Sequence, residues 1–236
     1  MKSMFKFMVL GYLMCMSTAH AAFSCPTDRA DYFCLTPEMA PDSIIKVADF
    51  YFTPARIISL FSPELSKLSA PILLEVNWES PYFGAGVSLY KDNFHLMILG
   101  GMARIDKMTP DAYAAIVCHE IGHMIGGFPF QTIPGAEWSS SEGQADLFAA
   151  SVCLPKLFQS QGELLQKIPA RVEQAGFEML NALKDYDSNE PNATLIRFMQ
   201  TKQIVPNTLI NQYPNIQCRY EAFRNPLKRS ECWFNK

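Results

Sequence analysis

The spacing of apolar and polar residues along this chain divides it into a few helices and three short strands. Residues 72–78 read as a strand, residues 82–90 alternate loosely, and residues 95–99 form a short apolar strand. Lys91-Asp92-Asn93 reads as a turn between the last two, and Gly100-Gly101 closes the third. These features predict a small antiparallel sheet. Before it, residues 43–52 and 54–68 are helical in part, with Pro63 breaking the second stretch. After it, residues 112–125 carry no proline and only Gly122 interrupts them. Thr109-Pro110-Asp111 supplies an N-cap, a proline at the first helical position and an acid in the first turn. Gly126-Gly127 supplies the stop.

A further helix is expected around Glu142, bent or ended near Leu154 by Pro155. Pro169 opens an amphipathic helix reaching about residue 186, and residues 187–192 form a loop. Residues 193–203 and 216–223 are also read as helical, with mixed structure over 205–213. The expected fold class is α+β, a mainly helical body with a small sheet. No Gly/Ser-rich linker, charge block or internal repeat divides residues 22–236, so a single domain is expected.

The first residues change this picture. Lys2 and Lys6 precede an apolar run over residues 7–16, and Ala19-His20-Ala21 is an A-x-A site. They read as a signal peptide, residues 1–21, cleaved before Ala22. The run is too short to span a bilayer, which takes about 20 residues. Cys15 lacks the small residues that precede a lipid-modified cysteine, so a lipoprotein is the lesser alternative. Without Lys2 and Lys6 the 20 basic residues become 18, against 23 acidic ones, a net charge of −5. That charge gives no reason to expect nucleic-acid binding, and no later run is long enough to cross a membrane. The expected location is periplasmic or secreted.

Seven cysteines, less Cys15, leave an even six. In an exported chain this suggests disulfides, although six cysteines allow 15 pairings. Cys25–Cys34 and Cys218–Cys232 are local pairs. Cys118 and Cys153 then either join the two helices that carry them or stay small buried thiols. No C-x-x-C occurs, which argues against a cysteine-based zinc site.

The candidate chemistry lies in His119-Glu120-Ile121-Gly122-His123 and in Glu142 and Asp146 downstream. On a helix, residues i and i+4 share a face, so the two imidazoles can converge on one metal ion. A catalytic zinc site with two histidines needs a third protein ligand, and Glu142 supplies one. Asp146, one turn on, can accept the other ring N–H of a ligating histidine. Glu142 has a rival role. Ser139-Ser140-Ser141-Glu142 fits a capping box, which would spend that carboxylate on its own helix terminus. If so, Glu137 is the next candidate. His95 reads as a strand surface residue.

HExxH followed by ExxxD resembles the gluzincin metallopeptidases, including the minigluzincins and other soluble relatives of the CAAX-prenyl-protease clan. A group of secreted bacterial peptidases is similar through ILGGMAR, VCHEIGHMIGG and SEGQAD, with a cysteine soon after. The resemblance covers residues 96–154, with a second patch, QCR…CWF, over 217–234. It implies a zincin-like domain with zinc held by His119, His123 and Glu142, a catalytic Glu120 and a supporting Asp146. The activity implied is peptide hydrolysis by a zinc-bound water that Glu120 activates, with a peptide or protein as substrate. Minigluzincins carry an Asn-Ala pair where this chain has Gly84-Ala85, so contacts made by that Asn are missing.

Residues 95–99 are expected to be the edge strand above the cleft, where an extended peptide could pair, with Gly100 and Gly101 permitting close approach. Phe128, Phe130 and Trp138 could line a substrate wall or simply pack. Arg219, Tyr220 and Tyr213 are candidates for stabilising an oxyanion. The donor set favours zinc without excluding nickel, cobalt or copper. The rival readings are a non-catalytic metal-binding or partner-binding envelope protein that keeps the site, and a binding protein in which HEIGH is accidental. An intact Glu120 speaks against the first, because a structural site needs no base.

Overall fold

The computed structural model of the chain describes residues 34–40, 43–184 and 203–235. The expected signal peptide, Cys25, the loop expected over 187–192 and all but the last residue of the helix expected over 193–203 lie outside these residues. The fold is α+β, a mainly helical body with a small three-stranded sheet.

Helix α1, Val47–Leu60, runs unbroken through Pro54, where two separate helical stretches were expected. Pro54 has no N–H to give the Phe50 carbonyl one turn back. The Tyr113 hydroxyl donates to that carbonyl instead, at 2.8 Å. The accounting of buried backbone groups is thereby closed by a side chain from another helix. Burial also pushes the Tyr113 hydroxyl pKa up, which keeps it a donor. The chain breaks at Phe61, and the short α2, Ser62–Leu65, carries Pro63 in its first turn.

The sheet is mixed, and the wholly antiparallel sheet expected from the sequence is corrected by its pairing. Strands β1 (Ile72–Asn77), β2 (Ala85–Tyr90) and β3 (Asn93–Leu99) lie in the order β1-β3-β2. The β2–β3 hairpin is antiparallel, turned by Lys91 and Asp92 at positive φ. β1 pairs with β3 in parallel. The edge position expected for residues 95–99 is therefore wrong too: β3 is central and β2 is an edge. Residues 78–84 carry the chain past the end of β3, where Gly100 and Gly101 cross them. A Cβ on Gly100 would lie 1.9 Å from the Trp78 carbonyl oxygen, and one on Gly101 2.2 Å from that of Pro81. The glycine pair admits the chain's own crossing loop rather than a ligand. Arg104 ties the same crossing down, donating to the carbonyls of Leu35, Trp78 and Ser80.

Helix α3, Pro110–Ile125, is buried from Ala112 to Met124. Its apolar character all round is what a central helix requires. Thr109 caps it, its Oγ1 accepting from the Ala112 N–H at 3.1 Å. Phe50 stacks on Tyr113 at 5.5 Å, and α1, α4, α6 and β2 pack around α3. Helix α4, Glu142–Phe148, leads through a π-turn, Ala149–Cys153, into α5, Leu154–Ser160. The helix does not end near Leu154, one of the two outcomes expected from Pro155. The Leu154 N–H reaches back five residues to the Ala149 carbonyl, and the wider turn carries the helix past Pro155. Helices α6, Ile168–Leu183, and α7, Ile216–Arg224, complete the body.

Cys118 is bonded to Cys153, joining α3 to the π-turn, and Cys218 to Cys232. Cys34 is also disulfide-bonded. Such bonds persist in oxidising compartments. No described helix is long and apolar enough to cross a membrane.

Candidate metal centre

The site forms where α4 packs against α3. Gly122 allows it: a Cβ there would lie 2.9 Å from both the Cα and the carbonyl oxygen of Ala145. Small residues on both helices thus let α4 bring its first turn against the imidazoles of α3.

His119 and His123 sit one turn apart, and both use their rings in the same way. The His119 Nδ1–H donates to Asp146 Oδ1 at 2.8 Å. The His123 Nδ1–H donates to the Ser140 carbonyl at 2.8 Å, with Ser139 Oγ at 3.1 Å. These bonds fix the tautomers and leave each Nε2 facing the same point. The two Nε2 atoms are 3.1 Å apart. Glu142 Oε2 lies 3.1 Å from the first and 3.5 Å from the second. All three side chains are buried.

This triangle fits a metal ion. Ligands held tetrahedrally at about 2.0–2.2 Å stand about 3.3–3.6 Å from one another, close to the three edges here. His119, His123 and Glu142 could hold one cation, and they form the sole such group of His, Cys, Asp or Glu among the described residues. The capping-box alternative for Glu142 fails on geometry. The N-cap of α4 is Ser141, it makes no side-chain cap bond, and Glu142 is the first helical residue. Glu137 is spent elsewhere, accepting from the Gly135 N–H at 2.8 Å. His95 donates to Glu75 across the sheet at 2.6 Å, away from the site.

The charges are mutually supporting. Burial alone would lower the His119 imidazole, but Asp146 and Glu142 outweigh it and push its pKa up to about 10. His123 is raised as well, burial being outweighed by its contact with Glu142. Burial would raise the Glu142 carboxyl, yet the two imidazoles hold it far below the usual range. Asp146, wholly buried, is held low despite desolvation by Arg219 and His119. The Arg219 Nε donates to Asp146 Oδ2 at 2.8 Å and its Nη2 to Oδ1 at 2.9 Å.

Glu120 differs from its neighbours. Burial is the largest influence on it and raises its pKa. No hydrogen bond to its carboxylate is found among the described residues.

The three oxyanion candidates separate clearly. Arg219 is engaged by Asp146. The Tyr220 hydroxyl donates to Glu173 at 2.8 Å, outside the cluster. Tyr213, about half exposed as a residue, stacks under the Arg219 guanidinium at 5.1 Å; desolvation of its hydroxyl end and then the Glu142 carboxylate push its pKa up. Of the aromatic residues between the motif helices, Trp138 packs edge-on against Phe94 at 5.0 Å. Phe128 and Phe130 remain exposed. Phe130 bridges to Ser140, the residue that supports His123.

Sequence reasoning missed the partners of the cluster: the Ser140 carbonyl, Ser139 and the Arg219–Asp146 pair. A backbone carbonyl carries no residue signature, and Arg219 lies 73 positions from Asp146. The chain matches no protein-family profile, no curated protein and no solved structure.

Proposed function

We propose that this protein is a zinc-dependent peptidase of gluzincin type, acting outside the cytoplasm. The observation that carries the reading is Glu120: a buried carboxyl group with no hydrogen-bond partner among the described residues, close enough to His119, His123 and Glu142 to feel their charges. A site serving stability alone has no use for such a group.

A cation held by His119, His123 and Glu142 would polarise a substrate carbonyl and acidify a water molecule. Zinc suits two imidazoles and a carboxylate in a tetrahedral arrangement. Glu120 would take the attacking water's proton and deliver it to the leaving amine. Its raised pKa brings the carboxyl nearer the neutral range in which such a transfer is efficient. Asp146 keeps His119 in the tautomer that presents Nε2. Tyr213 is the group left free to hydrogen-bond the carbonyl oxygen.

The sheet supplies a place for an extended peptide. β2 is the strand that packs on α3. The Gly84 carbonyl accepts from the Leu99 N–H at 2.8 Å. By the antiparallel alternation, Gly86 and Ser88 then turn their backbone groups to β3, while Ala85, Val87 and Leu89 turn theirs to the open edge. A peptide added there would extend the sheet that packs on α3, the helix that carries both histidines.

The disulfides and the charged, then apolar, N-terminus support a periplasmic or secreted protein. N-terminal mass spectrometry of protein from envelope and medium should find Ala22 first; Met1 retained in the cytosol would overturn that location.

Metal analysis of the mature protein beside cleavage of a peptide library tests the function. Glu120→Gln should keep its zinc while hydrolysis falls by about 10²–10⁴-fold. Glu142→Ala should lose both. Zinc bound without any cleavage by the wild type would identify a non-catalytic metal-binding protein instead.

A further inference from the structure

The first turn of α4, which carries Glu142, has little to hold it in place from within. The helix has only seven residues, its N-cap makes no side-chain bond, and its far end opens into a π-turn. A helix so short is marginal without tertiary contacts. Two of those contacts come from the C-terminal segment, and both leave residues adjacent to one disulfide.

Arg219 follows Cys218 and makes the paired hydrogen bonds to Asp146. Trp233 follows Cys232 and lies with its indole on Gly143, the residue after Glu142. A Cβ on Gly143 would come within 2.4 Å of that ring, so the glycine is what lets Trp233 seat there. Cys218, Cys232 and Trp233 form a buried cluster with Leu147, Leu209 and Phe234, separate from the main core. Leu209 donates its N–H to the Trp233 carbonyl at 2.8 Å, which fixes the segment's register.

We propose that the Cys218–Cys232 bond, through Arg219 and Trp233 as positioning residues, holds the carboxylate half of the site in metal-binding geometry. The inference rests on the metal-site reading above. Its consequence is that the dithiol form of the chain, as found in a reducing compartment, would hold the ion more weakly.

The test is zinc affinity by chelator competition on purified metal-free protein, with thermal melting alongside. Cys218→Ser/Cys232→Ser and Trp233→Leu should each weaken zinc binding by about 10–100-fold, as loss of ligand support does. Tyr220→Phe, which removes a bond on the same helix but faces Glu173, is the control for general destabilisation. It should leave affinity within about twofold, whatever it does to the melting temperature. Arg219→Lys should recover part of the affinity lost in Arg219→Ala. A folded double-serine variant with wild-type affinity would overturn the inference. Should that variant not fold, wild-type affinity in Trp233→Leu, with the disulfide intact, overturns it equally. Wild-type protein that takes up no zinc overturns this inference and the site itself, whereas normal uptake with unaffected variants overturns this inference alone.

Discussion

Zinc uptake by the metal-free protein should release protons, and the count follows from the cluster. A ligating imidazole must be neutral. In the absence of metal, Asp146 and Glu142 hold the His119 proton up to a pKa of about 10. At about pH 7.5 that proton is still bound, so the ion must displace it. Each pH unit below the pKa costs the ion a factor of ten, or about 1.4 kcal/mol. Between about pH 7 and 9 the affinity should therefore rise about a hundredfold from His119 alone, and the raised His123 adds to it. An imidazole at the ordinary 6.5 would already be neutral over most of that range and would add little. Calorimetric titration in buffers of different ionisation heat should report at least one proton released per ion at about pH 7.5. Chelator competition across the same range should give the slope. The same shift bears on the stability of the metal-free fold. Because the folded pKa exceeds the unfolded 6.5, its contribution is complete below 6.5 and is lost as pH rises through about 10. Zinc should accordingly stabilise the protein most at alkaline pH. A flat affinity between pH 7 and 9 with no proton released would refute the reasoning and leave His119 neutral in the metal-free state.

Three further outcomes follow from individual contacts. Asp146→Asn, which keeps the shape but loses the charge facing His119 and Arg219, should weaken zinc binding by about 10–100-fold; unchanged affinity would remove Asp146 from the site. Tyr113→Phe leaves the buried Phe50 carbonyl without its donor and should cost about 1–3 kcal/mol in urea unfolding, with zinc affinity preserved. Gly122→Ala forces a methyl group against Ala145; denaturant titration should show a loss of about 1–3 kcal/mol, and a variant as stable as wild type would mean that the two helices can separate freely.

How much of this was legible in the sequence depends on how local the determinant is. α3 could be read almost to the residue, because Thr109, Pro110 and Gly126-Gly127 act within one turn of it. The hairpin turn at Lys91 and Asp92 was equally local. Sheet order was not, because nothing in β1 states that it will pass β2 and pair with β3. Pro54 and Pro155 sit inside continuous helical backbone for a related reason. Each removes one backbone bond, and the compensation came from Tyr113 in one case and from a π-turn in the other. The cluster itself was legible because His119 and His123, and Glu142 and Asp146, repeat at helical spacing. The roles of Arg219 and Trp233 depend on a segment that meets α4 only in three dimensions.

The arrangement of charge explains how so polar a cluster can sit in the interior. An unpaired buried carboxylate is costly, and this site buries Glu142 and Asp146 together. Asp146 is neutralised permanently by Arg219, whose two hydrogen bonds match both its oxygens. Glu142 has no such fixed partner. Its compensation comes from the His119–His123 pair, and in the metal-free protein that means from the proton His119 retains. A divalent cation can take over the same duty at the same place, because the atoms that share the proton are the atoms that converge as ligands. The site would thus be balanced in two states, one protonated and, with an ion bound, one metal-loaded, with Arg219 holding Asp146 constant between them. Arg219→Ala should upset both states together, raising the cost of burying Asp146 and loosening His119, whereas Glu142→Gln should spare the metal-free fold while abolishing tight metal binding.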